Sequence, residues 1–147
     1  MIAVDTNVLV YAHRSESAHN ERCYGLMRQL ATGPAPWAIP SPCLAEFLCV
    51  VTHPRYLATP TPLPSALEQV RFWLAAPTCY VLAETRGTWD TLRDLVDSGQ
   101  LVGPRVYDAR IAAISLDHSV HEIWTLDRDF SRFPKLRTRN PLLEDLS

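Results

Sequence analysis

Ile2-Ala3-Val4-Asp5-Thr6-Asn7-Val8-Leu9-Val10-Tyr11 opens the chain with three apolar residues, an acid, and a second apolar run. Ile2-Ala3-Val4 has no polar face to give to water, which suits a central strand of a parallel sheet. Asp5-Thr6-Asn7 can turn the chain and cap a helix through Val8-Leu9-Val10-Tyr11-Ala12. The same alternation returns downstream. Trp37-Ala38-Ile39 reads as a second strand, Cys79 to Leu82 as a third, and Ile123-Trp124-Thr125-Leu126 as a fourth ending at Asp127, with Leu136 to Arg139 as a fifth, edge strand. Helices are expected from Ala18 to Ala31 with Gly33-Pro34 as the stop, and from Ser41-Pro42 to Val51 with Ser41 as the cap. The stretch from Pro54 to Pro64 holds four prolines and marks a loop, and Ser65 with Glu68 forms a capping box for a helix reaching Ala76. Further helices are expected over Thr88 to Val96, broken by Ser98-Gly99, and over Val106 to Leu116, with a short helical turn from Arg128 to Phe133.

Strands alternating with helices predict an α/β fold whose parallel sheet of four to five strands is covered on both faces. Ligands in such sheets bind beyond the carboxyl ends of the strands, where strand order reverses. A central first strand puts Asp5 at that point. A fourth strand beside it would end with Asp127 as its neighbour.

The 147 residues fit one domain, 1–147, and a 47% hydrophobic, 20% charged composition is that of an ordinary folded protein. The start, Met-Ile-Ala-Val-Asp, lacks the positive flank and apolar core of a signal peptide, and no apolar run approaches a membrane span, so a soluble cytoplasmic protein is expected. Cys23, Cys43, Cys49 and Cys79 have no zinc-ligand spacing, and three of them sit among apolar neighbours as small hydrophobes do. A net charge of −2 advertises no nucleic-acid partner by field alone. The positive charge is thirteen Arg and one Lys, Lys135; Arg can hold phosphate bidentately, although codon bias explains the ratio equally well.

Four acids resist ordinary explanations taken together. Glu46 is the only charge in the apolar run Leu44-Ala45-Glu46-Phe47-Leu48-Cys49-Val50-Val51. Such a carboxylate must lie on a polar stripe, pair with an Arg, or bind something, because burying it alone costs several kcal/mol. Asp108 falls near the start of its helix, where an acid suits the helix dipole, and the alanines after it allow close approach to the sheet. Asp5 and Asp127 each end an apolar strand, where an Asx turn is the plain alternative. A doubly wound fold would nevertheless bring all four together. Converging carboxylates repel, and oxygen-only ligands answer that repulsion with a hard cation, Mg²⁺ or Mn²⁺.

Asp5-Thr6-Asn7-Val8-Leu9-Val10-Tyr11, Glu46 on its helix, Asp108-Ala109-Arg110-Ile111-Ala112-Ala113 and Thr125-Leu126-Asp127-Arg128-Asp129-Phe130 together resemble the motifs of PIN-domain ribonucleases, in order and near the family's spacing. The resemblance is nearest to the VapC-type toxins of bacterial toxin–antitoxin pairs and covers essentially the whole chain. It implies a three-layer α/β/α sandwich and Mg²⁺- or Mn²⁺-dependent endonucleolytic cleavage of RNA. It also implies that Asp5, Glu46 and Asp108 are the core catalytic and metal-holding acids, with Asp127 as the fourth. Asp129 competes for that fourth role, with capping of the turn at Phe130 as its alternative. Asn7 and Thr125 match positions that orient ligands or water. Arg110 and Arg128, with Arg132, Lys135, Arg137 and Arg139, form a basic tract suited to RNA phosphates or to surface ion pairs. The implied partner is a small antitoxin whose amphipathic helix would lie between the helices spanning Val8 to Ala31 and Leu44 to Val51, with an Arg reaching the acids. Those apolar faces would otherwise be core or a homodimer interface.

Two other functions fit parts of the pattern. A phosphatase with Asp5 as nucleophile wants a second Asp two residues on and a nearby Lys, whereas position seven is Asn7 and the one lysine is Lys135. An inactive PIN-like scaffold binding RNA or protein would not need the full acid set. His118 and His121, the pair a metal-free ribonuclease would use, fall in the turn before the fourth strand.

Overall fold

The apolar runs become the strands of one five-stranded sheet. In the computed structural model, which describes residues 1–143, the order of elements is β1 (Ile2–Val4), α1 (Thr6–His13), α2 (Asn20–Thr32), β2 (Trp37–Pro40), α3 (Ser41–Thr52), α4 (Leu63–Leu74), β3 (Cys79–Leu82), α5 (Thr88–Gly99), α6 (Arg105–Asp117), β4 (Glu122–Trp124) and β5 (Arg137–Arg139). A 3-10 turn, Arg128–Arg132, lies between the last two strands. Residues 144–147, which the sequence reading takes into the domain, lie outside the described residues.

All strand pairs are parallel and the spatial order is β3-β2-β1-β4-β5. The chain moves outward from β1 to β3, then crosses back to β4 on the other side of β1. Parallel crossovers of one hand place the helices of the two halves on opposite faces. The helices group accordingly: α1 packs on α2 and α3, α3 on α4, and α5 on α6. The expected three-layer α/β/α sandwich is what forms. Order reverses at β1, so the carboxyl ends of β1 and β4 open where a ligand site is expected.

Burial explains the strand compositions. Every residue of β2 is buried, and Ala3 and Val4 of β1 are fully so. The edge strands differ: Tyr80 and Val81 of β3 are exposed, and β5 reads Arg-Thr-Arg, a charged edge that discourages pairing with another chain. Ala109, Ala112 and Ala113 are fully buried on α6 and let that helix approach closely, as their small size predicts. Phe47 of α3 meets Trp73 of α4 edge to face at 4.9 Å, tying two helices of one layer together.

Several local expectations need correction. Ser41 does not cap α3; the helix includes it, Pro40 precedes it, and a proline within the first turn supplies the preset φ instead. The same happens at α4, which starts two residues before Ser65. There Glu68 pairs with Arg71 at 2.9 Å rather than closing a capping box. Helix α5 runs through Ser98-Gly99 and ends at Gln100, which adopts φ 49°. Strand β4 stops at Trp124, short of Leu126, because beyond it the backbone is held by side chains of the site.

Candidate active site

Asp5 follows β1 directly, and its backbone N–H donates to the Trp124 carbonyl at 3.0 Å, the last rung joining β1 to β4. Its side chain caps α1, accepting from the Thr6 N–H at 2.7 Å through Oδ1. The other oxygen, Oδ2, accepts from the Thr125 hydroxyl at 2.6 Å and from Asn7 Nδ2 at 3.1 Å. Thr125 also accepts from Asn7 Nδ2 and from the Asp127 N–H, at 3.2 and 3.0 Å, while Asn7 Oδ1 accepts from the Leu126 N–H at 3.1 Å. This lattice explains why β4 ends early: the N–H groups of Leu126 and Asp127 answer side chains instead of a strand. It also gives the expected orienting residues Asn7 and Thr125 a physical job, fixing the position of Asp5.

Asp5 is 5% exposed. Burial pushes its carboxyl up to about 6 against the downward pull of the Thr125 and Thr6 hydrogen bonds, with the charge of Glu46 adding to the rise. Cys43 of α3 places its thiol 3.7 Å from Asp5 Oδ1. Burial holds that thiol well above its ordinary range.

Glu46 is exposed on α3 beside Ala45 and Cys49, and among the described residues it pairs with no Arg. Its Oε2 accepts from the Thr6 hydroxyl at 2.9 Å instead, a tether between α1 and α3 that the sequence reading missed. Asp108, in the first turn of α6, is half-buried. Burial first, then the charges of Asp127, Asp5, Asp129 and Glu46, push its carboxyl up to about 6. Asp127 caps the 3-10 turn by accepting from the Asp129 N–H at 2.8 Å. The cap of that turn is therefore Asp127, not Asp129. Asp129 is freed to face the other acids: single carboxylate oxygens of Asp108, Asp127 and Asp129 all lie within 4.8 Å of one another. It also meets Arg132 at 3.6 Å.

Two clefts meet over these acids. One, of about 350 Å³, is lined by Asp5, Asn7, Val10, Tyr11, Val50 and Leu57 together with Glu46, Asp108 and Asp127. The other, of about 690 Å³, shares those last three acids and continues past Asp129 to Arg105, Tyr107 and Arg110. The expected set of Asp5, Glu46, Asp108 and Asp127 thus shares one place in the fold, and Asp129 joins it.

The basic residues divide. Arg110 lines the larger cleft, but its guanidinium is engaged by Glu84. Arg128 is exposed in the turn and lines neither cleft. Arg137 and Arg139 turn to the buried carboxylate of Glu122, at 3.2 and 3.8 Å, which favours the ion-pair reading of that part of the tract. Lys135 lines a separate groove with Arg132 and Phe133, so an aspartyl-phosphate mechanism at Asp5 lacks its lysine. His118 Nε2 bonds the Ala83 carbonyl at 2.8 Å and His121 Nδ1 meets the N-terminal ammonium at 2.7 Å, both outside the clefts.

The donor set fits a hard divalent cation. It is all carboxylate oxygen and partly open to water, and the charges of Asp127 and Asp129 help to push the Asp108 carboxyl up, a repulsion that positive charge relieves. Among the described residues no helix is long and apolar enough to cross a membrane.

The chain is similar to known proteins over nearly all of its length. Residues 2–136 match the PIN domain family. VapC ribonuclease Mb2897 of Mycobacterium bovis is 37% identical over 142 residues, covering 97% of this chain and 96% of that protein. Ribonuclease VapC48 of Mycobacterium tuberculosis is 31% identical over 137 residues, 93% of this chain and 94% of that protein. Among solved structures, VapBC2 from Rickettsia felis bound to a DNA fragment from its promoter superposes with a TM-score of 0.69 at 21% identity, covering 95% of this chain and 98% of that one.

Proposed function

The chain belongs to the PIN domain family, and on that premise we propose that it is a divalent-metal-dependent endoribonuclease, the toxin of a toxin–antitoxin pair. The observation that carries the reading is the convergence of Asp108, Asp127 and Asp129 on one point, with Asp5 and Glu46 beside it. Asp108, Asp127 and Asp129 would hold the cation, and Asp5 and Glu46 complete the negative wall. A cation at that place, Mg²⁺ or Mn²⁺, would supply a more acidic water and positive charge for a phosphodiester. Asp5, with its carboxyl raised to about 6, can accept a proton close to neutral pH. Thr125 and Asn7 keep Asp5 in one orientation through both halves of its carboxylate, and Thr6 restrains Glu46, so little reorganisation accompanies the chemistry.

The relatives at 31% and 37% identity are named VapC ribonucleases, which supports RNA as substrate and a small antitoxin as partner. The smaller cleft supports the second point. Val8, Leu9, Cys23, Leu26, Phe47 and Val51 are core, but Val10, Tyr11, Val50 and Leu57 line that cleft next to the acids. An amphipathic helix seated there would place a trailing Arg within reach of Asp5 and Glu46, answering their charge as a cation does.

Expression of the chain alone in a bacterial host is expected to arrest growth. Asp108→Ala and, separately, coexpression of the small gene beside it are each expected to relieve the arrest. Normal growth at a verified level of folded wild-type protein would contradict the toxin role while leaving RNA cleavage to be judged by its products.

A further inference from the structure

The larger cleft extends beyond the acids to residues with no part in holding a cation. Tyr107 and Val102 are 69% and 78% exposed at its rim, and Pro104 continues the apolar lining. Arg105 lies on the same wall, exposed and without a hydrogen-bond or ion-pair partner among the described residues. Of the two guanidinium groups lining the cleft, Arg110 is engaged by Glu84 and Arg105 is not.

Resting on the nuclease reading, we propose that Tyr107 and Arg105 position the substrate as an unpaired RNA segment, with a base stacked on the Tyr107 ring and Arg105 on a phosphate beside the scissile one. Arg105 and Asp108 are three apart on α6, so their side chains share a face about 5–6 Å apart at Cβ, near the spacing of one nucleotide step from the acids. Ala109, Ile111 and Ala112, buried against the rest of the fold, hold this turn of α6 rigidly. An aromatic ring presented to solvent beside a phosphate-cutting centre offers a stacking face to any base, whereas bases within a duplex have their faces already covered. Phosphates approaching a wall of five acids need fixed positive charge, and a guanidinium supplies it bidentately. Tyr107 and Arg105 are positioning residues in this scheme; neither takes part in bond making.

The test is binding of a short fluorescein-labelled heteropolymeric RNA, single-stranded or in a perfect duplex, to the full chain carrying Asp127→Asn in Mg²⁺. The single strand is expected to bind more tightly than the duplex. Tyr107→Ala is expected to weaken it by about five- to a hundredfold, the range of one base–aromatic stack. Tyr107→Phe should retain binding and Tyr107→Leu should not, a difference that mere packing would not produce. Arg105→Ala should weaken binding and lower the salt slope by about one phosphate contact. Unchanged affinity in folded Tyr107→Ala, equal binding by Phe and Leu, preference for duplex, or absence of single-strand binding would each overturn the proposal. Cleavage of cellular RNA by the wild type judges the nuclease reading separately. A wild type that cuts RNA while Tyr107→Ala binds normally defeats this inference alone.

Discussion

In chelator at pH 8, Asp108→Asn is expected to melt above the wild type; with Mg²⁺ restored, it is expected to lose at least about a hundredfold in RNA cleavage, the loss that follows removal of a group aimed at transition-state charge. Asp108 sits among Asp127, Asp5, Asp129 and Glu46, and burial and those charges hold its carboxyl at about 6 against 3.8 for the free group. An acid whose pKa is raised by folding contributes stability that is complete below the unfolded value and is lost as pH rises through the folded one. The metal-free wild type therefore loses stability between about pH 4 and pH 7 through this group, and the asparagine variant does not. After allowance for solvent screening of a half-exposed group, the gap at pH 8 is about 1 kcal/mol, or roughly 2–4 °C in Tm. Below pH 4 the two proteins should melt together. Melting curves across that range check the sign. A variant less stable than wild type at pH 8 would mean that Asp108 is held by favourable contacts rather than strained by its neighbours.

Mn²⁺ or Mg²⁺ is expected to reverse that order. A ligand bound only by the folded state stabilises it by about 2.7 kcal/mol at a hundredfold excess over its dissociation constant. The gain should be larger at pH 8 than at pH 5, where protons compete for the same oxygens. Asp108→Asn and Asp127→Asn should each blunt it, because each removes one of the three carboxylates that lie within 4.8 Å of one another. The measurement is Tm against metal concentration, with Ca²⁺ as a second hard cation. A wild-type curve indifferent to metal and to chelator would remove the basis for the site.

The sheet was legible because its strands are buried on both sides: Ile2-Ala3-Val4 and Trp37-Ala38-Ile39 carry no charge for water to claim. Asp5 and Asp127 could be placed because strand ends at a reversal of order are where such folds bind. What stayed open has a common cause, which is that side-chain partners across the fold leave no periodic trace. Glu46 can lie on a polar stripe, pair with an Arg or bind something, and no pattern announces that the hydroxyl of Thr6, forty residues earlier, holds it. Arg110 lines the larger cleft, but its ion pair with Glu84 has no signature in the sequence. Asp129 is expected either as the fourth acid or as the cap of the turn at Phe130, and local rules alone do not choose between them. The cap is Asp127, and the 3-10 turn brings Asp129 to the other acids. Arg105 and Tyr107 gave no motif at all; only their place on the cleft wall gives them meaning.

The most direct test of the central claim is the chemistry of the RNA ends produced by purified wild-type protein. Water attacking phosphorus at an acid-held cation needs no help from the ribose 2′-hydroxyl, so fragments should carry 5′-phosphate and 3′-hydroxyl ends. They should vanish in chelator and with Asp108→Asn. Fragments with cyclic phosphate ends that persist in chelator and in Asp108→Asn would contradict the account and move the chemistry to His118 and His121, away from the acids.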